Sequence, residues 1–291
     1  MKQSSLSWFY LILLSLIWGS SFILMKEGLV AFTSDEVAGL RIAIAFLFLL
    51  PMLLKHYKNI NFKKNWPGLI LMGVFGNLLP AFLFTKAETQ ISSSLTGMLN
   101  ALTPLFTIVL GVLVFKTKVQ KFQILGVAIG LIGALFLLGF NSGSEQSKNL
   151  NYSLLVVAAT FCYAISVNGI KKYLSNVNSV AASVGSFTII GPIAIIYLFT
   201  NTDFHSHITQ HPNGYSALGF VSILAIFGTS LSIIMFNTLI KQAGTVFAST
   251  CTYLIPIVAI CWGLLDGETV TIIQLFSVGV IVLGVWLINK K

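Results

Sequence analysis

Four asparagines stand inside long apolar runs of this chain: Asn77, Asn100, Asn168 and Asn237. An amide in hydrocarbon is costly unless it is paired or faces water, so such residues either bond helix to helix or gather around a wet cavity. Each amide carries donors and an acceptor. A ring of them drawn from both halves of the chain therefore has the chemistry to hold a small polar solute. Trp18 and Tyr163 lie at similar depth, Trp18 about ten residues into the first apolar run. Tyr and Trp usually mark the headgroup level, which suits Trp8 and Trp66 but not Trp18. Stacking against an amphipathic solute is the sharper reading for this pair, and plain packing is the other. Thr252 and Tyr253, just before Pro256, are read in the same way.

Arg41 is the one basic residue well inside an apolar run. It either binds an anion or gates, or it snorkels and pairs with Asp35, Glu36 or Glu88; Arg41 and Glu88 are taken together as a gate or ion pair. Pro80, Pro104, Pro192 and Pro256 each remove a helical hydrogen bond. Hinges are expected at Pro80, Pro104 and Pro256, with static kinks as the alternative. No Asp or Glu lies deep within any run, where a proton relay commonly sits, so uncoupled transport is the expectation. His205, His207 and His211 read as a solvated loop, and Cys162, Cys251 and Cys261 as small core residues without metal-ligand spacing. No paired carboxylates or nucleophile–base set lies among the apolar runs, which argues against an enzyme. No cofactor or metal is expected.

The elements that must position these residues follow from composition. Of 291 residues 56% are hydrophobic and 9% charged, against roughly 25% charged in an ordinary soluble domain. Continuous apolar runs rather than alternating ones select helices over a β-barrel. The expectation is an all-α membrane protein of ten transmembrane helices, near 7–29, 35–54, 67–86, 91–115, 122–140, 152–172, 178–200, 215–239, 245–265 and 271–288. With the N-terminus in the cytoplasm, the positive-inside rule is satisfied: thirteen of the 17 basic residues fall in cytoplasmic segments, and all eight acids fall at or beyond the outer ends. The net charge of +9 is thereby spread between apolar runs, and no nucleic-acid partner is expected. The N-terminal run is read as a retained first helix, not a cleaved signal peptide.

The chain also repeats. Phe75-Gly76-Asn77 through Phe84-Thr85 matches Phe227-Gly228-Thr229 through Phe236-Asn237 at an offset of 152, which also carries Pro104 onto Pro256 and Lys116 onto Glu268. Five spans per half is an odd number, so the halves enter the membrane from opposite sides. The expected organisation is a first repeat over 1–140, a periplasmic linker over 141–151 and an inverted second repeat over 152–291. Inverted repeats are a signature of carriers that alternate access around a site between the halves.

Trp18-Gly19-Ser20-Ser21-Phe22 with Lys26, then Arg41, the run from Ser92 to Pro104, Gln123, Gly126 and Gly133 resemble the first repeat of the EamA-type family of the drug/metabolite transporter superfamily. Gly244 to Pro256, Gly267-Glu268, Gln274 and Gly284 resemble the end of the second. Lys116 departs from the acidic residue usual in that family, which Glu268 retains. The resemblance implies ten helices in inverted five-helix repeats, a cavity lined by both halves, and transport of amino acids or other small metabolites, frequently export, in a bacterial inner membrane. A bound cofactor is not implied. Because Arg41 is the lone candidate cation, neutral or zwitterionic cargo is favoured over phosphate-bearing cargo. The alternatives are a carrier of another amphipathic or anionic metabolite and a non-transporting receptor or assembly subunit. The partners expected are a small-molecule substrate and the lipid bilayer, with the protein a monomer or homodimer.

Overall fold

The computed structural model describes residues 5–56, 60–114, 116, 120–139, 146–249 and 251–289, without the side chains at 56, 139, 146–149, 241, 244–247, 249, 253, 288 and 289. Among these residues the chain is helical, with no strand. The long helices are α1 (Ser5–Gly28), α2 (Ser34–His56), α3 (Phe62–Glu88), α4 (Ser93–Leu113), α5 (Lys121–Gly139), α6 (Gln146–Tyr173), α7 (Ser179–Asn201), α8 (Gly214–Ile240), α9 (Cys251–Leu265) and α10 (Ile272–Asn289). Eight of the described helices are long and apolar enough to cross a membrane, and α9 and α10 contain shorter apolar stretches. Helix continues beyond Ile240 through Ser249, into the expected ninth span, and α9 is described from Cys251. Lys241, Gln242 and Ala243 are good helix formers and no proline intervenes, so nothing stops α8 at the predicted boundary.

Helix starts are written in local polar residues. Asn61 Oδ1 accepts from the Lys64 amide at 3.0 Å and Ser92 Oγ from the Leu95 amide at 3.2 Å. Asn178 caps α7 by accepting from Val180 and Ala181. At α2, the Thr33 amide donates to Glu36 Oε2 at 2.9 Å while the Glu36 amide approaches Thr33 Oγ1 at 3.4 Å, a reciprocal capping box.

The prolines act differently from one another. Pro104, lacking a donor, stands at the start of Thr103–Leu113, and α4 is broken at Ala101–Leu102. Pro80 begins the regular helix after an irregular segment of α3, whereas Pro192 and Pro256 lie within continuous helices.

Helices of the first half pack chiefly on helices of the second: α5 on α10, α2 on α7, α1 and α4 on α9, and α3 on α6. The glycine row Gly126–Gly130–Gly133 serves this packing, because a Cβ at Gly284 would stand 2.6 Å from the Gly126 carbonyl oxygen. Buried Phe22, Phe84, Leu99, Val156, Ile255 and Ile281 belong to one core cluster. Leu135, Phe199 and Ile272 are among the most exposed large side chains, as an apolar solvent requires. The histidine region is a short helix, Phe204–Gln210. There His207 Nδ1 lies 2.8 Å from the buried Glu36 carboxylate, which corrects the solvated-loop expectation: a buried acid needs a partner. Of the three cysteines only Cys251 is buried; Cys261 is exposed.

Candidate functional site

Both α3 and α8 change hydrogen-bond register midway. Leu71–Leu78 and Leu224–Leu231 are π-helical, at matching positions of the two repeats. A π segment widens the turn, and such segments are frequent at functional sites. In each, a polar side chain returns to the carbonyl five residues back: Asn77 Nδ2 to the Met72 oxygen at 2.9 Å, and Thr229 Oγ1 to the Leu224 oxygen at 3.3 Å. The hydrogen bond itself therefore repeats at the offset of 152.

Between these segments lies a cavity of about 170 Å³. Trp18, Asn77, Asn100, Tyr163, Asn237 and Thr252, all singled out from the sequence, line it. So does Arg41, the one charged side chain among the described lining residues. Much of the remaining wall is aromatic. Trp18 meets Phe236 edge-on at 5.0 Å between ring centroids, and Phe84 makes tilted contacts at 5.7 Å from Tyr163 and 5.8 Å from Phe22.

The polar groups are fixed by partners in several elements. Trp18 Nε1 donates to the Gly228 oxygen and to Ser232 Oγ at 3.1 and 3.0 Å. Arg41 Nε donates to Thr229 Oγ1 at 2.8 Å, so a guanidinium on the first half is seated on the π segment of the second. Asn237 Nδ2 donates to Ser183 Oγ at 3.2 Å. Asn100 ends the first piece of α4, and its Oδ1 is buried without a hydrogen-bond partner.

Two expectations are not met. Asn168 stands apart from the cavity lining: its Nδ2 donates to the Thr107 and Ala164 oxygens at 3.0 and 2.9 Å, a helix-to-helix role. Arg41 forms no ion pair with an acid among the described residues, because each acid is otherwise placed. Asp35 Oδ2 accepts from the Tyr197 hydroxyl at 3.1 Å, Glu36 is held by His207 and the Thr33 amide, and both Glu88 oxygens lack any hydrogen-bond partner. The Tyr253 side chain lies outside the described residues. Phe22, Phe84, Ser166 and Phe236 line the cavity without having been singled out. The repeat carried the signal for two of them, since Phe84 and Phe236 are partners at the same offset.

The cavity is bounded differently at its two ends. Toward one end it adjoins a second cavity of about 240 Å³, which shares Val167, Ile170, Phe236 and Asn237 and reaches Lys171, Ser175 and Ser179. Gly68 near the start of α3 touches Leu174 at that end. Glu88, at the other end of α3, is roughly 30 Å away by helix rise. There the chain is clamped shut. Glu268 Oε1 accepts from the Ser93 amide at 3.0 Å and from Ser93 Oγ and Lys26 Nζ at 2.9 Å each. Its Oε2 accepts from the Ser94 amide at 3.0 Å and from the Ser94 hydroxyl. Lys26 also pairs with Asp266. Burial alone would raise the Glu268 carboxyl, but the donors from Ser94, Lys26 and Ser93 outweigh it and hold it at about 2. Gly267, at φ +80°, turns the chain so that Glu268 reaches the start of α4. Gly263 leaves the room, since a Cβ there would collide with Ser94 Oγ.

Comparison with known proteins fits this arrangement. The family model described as "EamA-like transporter family" matches residues 5–139 and again 150–290. The inner membrane transporter YedA of Escherichia coli (strain K12) is 28% identical over 95% of this chain and 88% of its own length. The probable amino-acid metabolite efflux pump of Salmonella typhimurium is 26% identical, covering 96% and 93%. An S-adenosylmethionine/S-adenosylhomocysteine transporter of Chlamydia trachomatis serovar L2 is also 26% identical, covering 97% and 89%. A crystal structure superposes with a TM-score of 0.67 at 14% identity, covering 98% of this chain and 96% of that one, which shows a shared fold. With both halves matched in order, the chain is a multi-pass membrane protein and belongs to the EamA-like transporter family.

Proposed function

We propose that this chain carries small zwitterionic, amphipathic metabolites, such as amino acids and their derivatives, across a bacterial inner membrane. In this reading ten helices form two inverted five-helix repeats, with both termini in the cytoplasm. The halves rock about the central cavity, and net flux is export or facilitated equilibration. One observation carries the cargo class. The described lining of an aromatic-walled cavity holds a single cation, Arg41, and includes Asn100, whose buried Oδ1 has no hydrogen-bond partner. Arg41 is placed to take a carboxylate through a charge-assisted bond, and Asn100 to accept from an ammonium. Trp18, Phe84, Tyr163 and Phe236 would cover the apolar remainder. A doubly charged phosphate would meet only one compensating charge. The names of the Salmonella and Chlamydia relatives give an amino-acid metabolite and S-adenosylmethionine or S-adenosylhomocysteine as cargo, and the latter two carry an α-amino-acid end.

The test is uptake of an amino-acid and metabolite panel by proteoliposomes holding wild type, Arg41→Met, Asn100→Leu or Trp18→Ala. Loss of a hydrogen bond to a charged group costs about 1.5–3 kcal/mol. Arg41→Met should therefore weaken apparent affinity by roughly 10- to 100-fold for carboxylate-bearing solutes and much less for esters. Transport unaffected by all three substitutions, or preference for a phosphate ester, would sink this assignment.

A further inference from the structure

We propose that Glu88 is a proton-binding site of the outer gate, taking up a proton from the outer water each time the Lys26–Asp266–Glu268 clamp closes. The inference rests on the carrier reading for its directions. Its core is the placement of one side chain.

Glu88 ends α3 one turn beyond Phe84, a wall residue of the cavity, and so lies between cavity and clamp. It is 8% exposed, and neither carboxylate oxygen has a hydrogen-bond partner among the described residues. Three charged groups act on it: Lys26 from α1, Arg41 from α2 and Glu268 from the α9–α10 connection. Lys26 is committed to Asp266 and Glu268, and Arg41, whose Nε is seated on Thr229, gives Glu88 no hydrogen bond. Glu268 is an anion and repels. α4 has no charged residue, and the stretch of α6 from Leu150 to Ile170 brings only the weak acids Tyr152, Cys162 and Tyr163. The C-terminal position on α3 adds the negative end of the helix dipole.

A buried carboxylate anion without a donor, facing another anion, is an unstable arrangement; a neutral acid tolerates it far better. Closure thus favours the protonated form. When the clamp parts, Lys26 is released from its two acids and water reaches Glu88, both of which favour the anion. The proton passes between water and a carboxylate oxygen, and no other bond is made or broken. Uncoupled transport was the expectation because no acid lies mid-span. Glu88 keeps that position at a helix end, yet folding buries it.

Infrared difference spectroscopy on the full-length protein in nanodiscs reads the proton directly. At neutral pH, wild type should show a protonated-carboxyl C=O band that is lost in Glu88→Gln. That variant mimics the neutral acid and should keep the wild-type melting temperature. Absence of the band in wild type, or its persistence in Glu88→Gln, overturns the proposal. A second readout follows the clamp, with spin labels at Lys86→Cys and Thr269→Cys, both exposed, after replacing the three native cysteines by alanine. An open population should grow as pH rises and vanish in Glu88→Gln; a pH response surviving that substitution also overturns it. Neither measurement needs transport. A protein that shows the band but moves no solute would retain the proton site and refute the carrier.

Discussion

Glu268 and Glu88 are two acids at the same end of the bundle, with opposite fates set by their donors. Glu268 holds two backbone amides, two serine hydroxyls and a lysine; Glu88 holds none. Glu268 is depressed from its ordinary 4.5 to about 2. Its contribution to stability is therefore present above about 4.5 and is lost as pH falls towards 2. Thermal unfolding in detergent should show this loss in wild type and not in Glu268→Gln. Near neutrality the variant should already be weaker by about 1.5–3 kcal/mol, the scale of one hydrogen bond to a charge. An unchanged melting temperature in Glu268→Gln would remove the clamp. What a residue's position reveals is its depth along a helix, which was enough to find Trp18, Asn77, Asn100, Tyr163 and Asn237. Whether a side chain then turns inward depends on the neighbouring helix. Asn168 shares their depth but reaches the Thr107 carbonyl, and Glu88 looks peripheral until α1, α2 and the α9–α10 connection close over it.

At the scale of the element, α3 and α8 carry related segments whose polar residues have unequal duties. Asn77 satisfies one carbonyl of its own helix. Thr229 does the same and also accepts the bond that seats Arg41. Asn77→Ala should therefore cost about 0.5–1.5 kcal/mol, whereas Thr229→Val, which strands a partly buried guanidinium donor, should cost about 1–3 kcal/mol. Combining Thr229→Val with Arg41→Met should cost less than the sum of the two, because the second change removes the stranded donor. Strict additivity in thermal unfolding would mean that the Arg41–Thr229 bond carries no weight. The apolar runs made these helices legible, and the repeat aligned them. The π register was not legible, because it differs from an α-helix only in which carbonyl each amide meets and leaves no distinct hydrophobic period. The break in α4 was legible from Pro104, while its repeat partner Pro256 sits in unbroken helix. A missing donor permits a kink, and packing decides whether one forms.

The molecule as a whole is joined across the repeat boundary, since α1, α2, α3 and α5 pack on α9, α7, α6 and α10. A half alone would leave these faces without their partners, so neither half should be stable by itself. Separating the chain between Asn141 and Ser142 and expressing both pieces together should restore a monodisperse complex in detergent. The piece covering residues 1–141 should aggregate when made alone; if it is monodisperse and heat-stable, the two halves are independent domains. The same division tests the inverted arrangement, which rests on the distribution of lysines. In the proposed arrangement, five spans in the first half would carry its end to the face opposite its start, and the second half would begin outside and finish inside. Alkaline phosphatase fused after Phe140 should be active, while green fluorescent protein fused after Lys291 should fluoresce. Lys171 and Lys172, beside the second cavity, would then lie on the cytoplasmic side, and the Glu268 clamp would close the outer one. Reversal of both reporters would keep the repeats but turn the molecule over, making the clamped end cytoplasmic and Glu88 a sensor of internal rather than external pH.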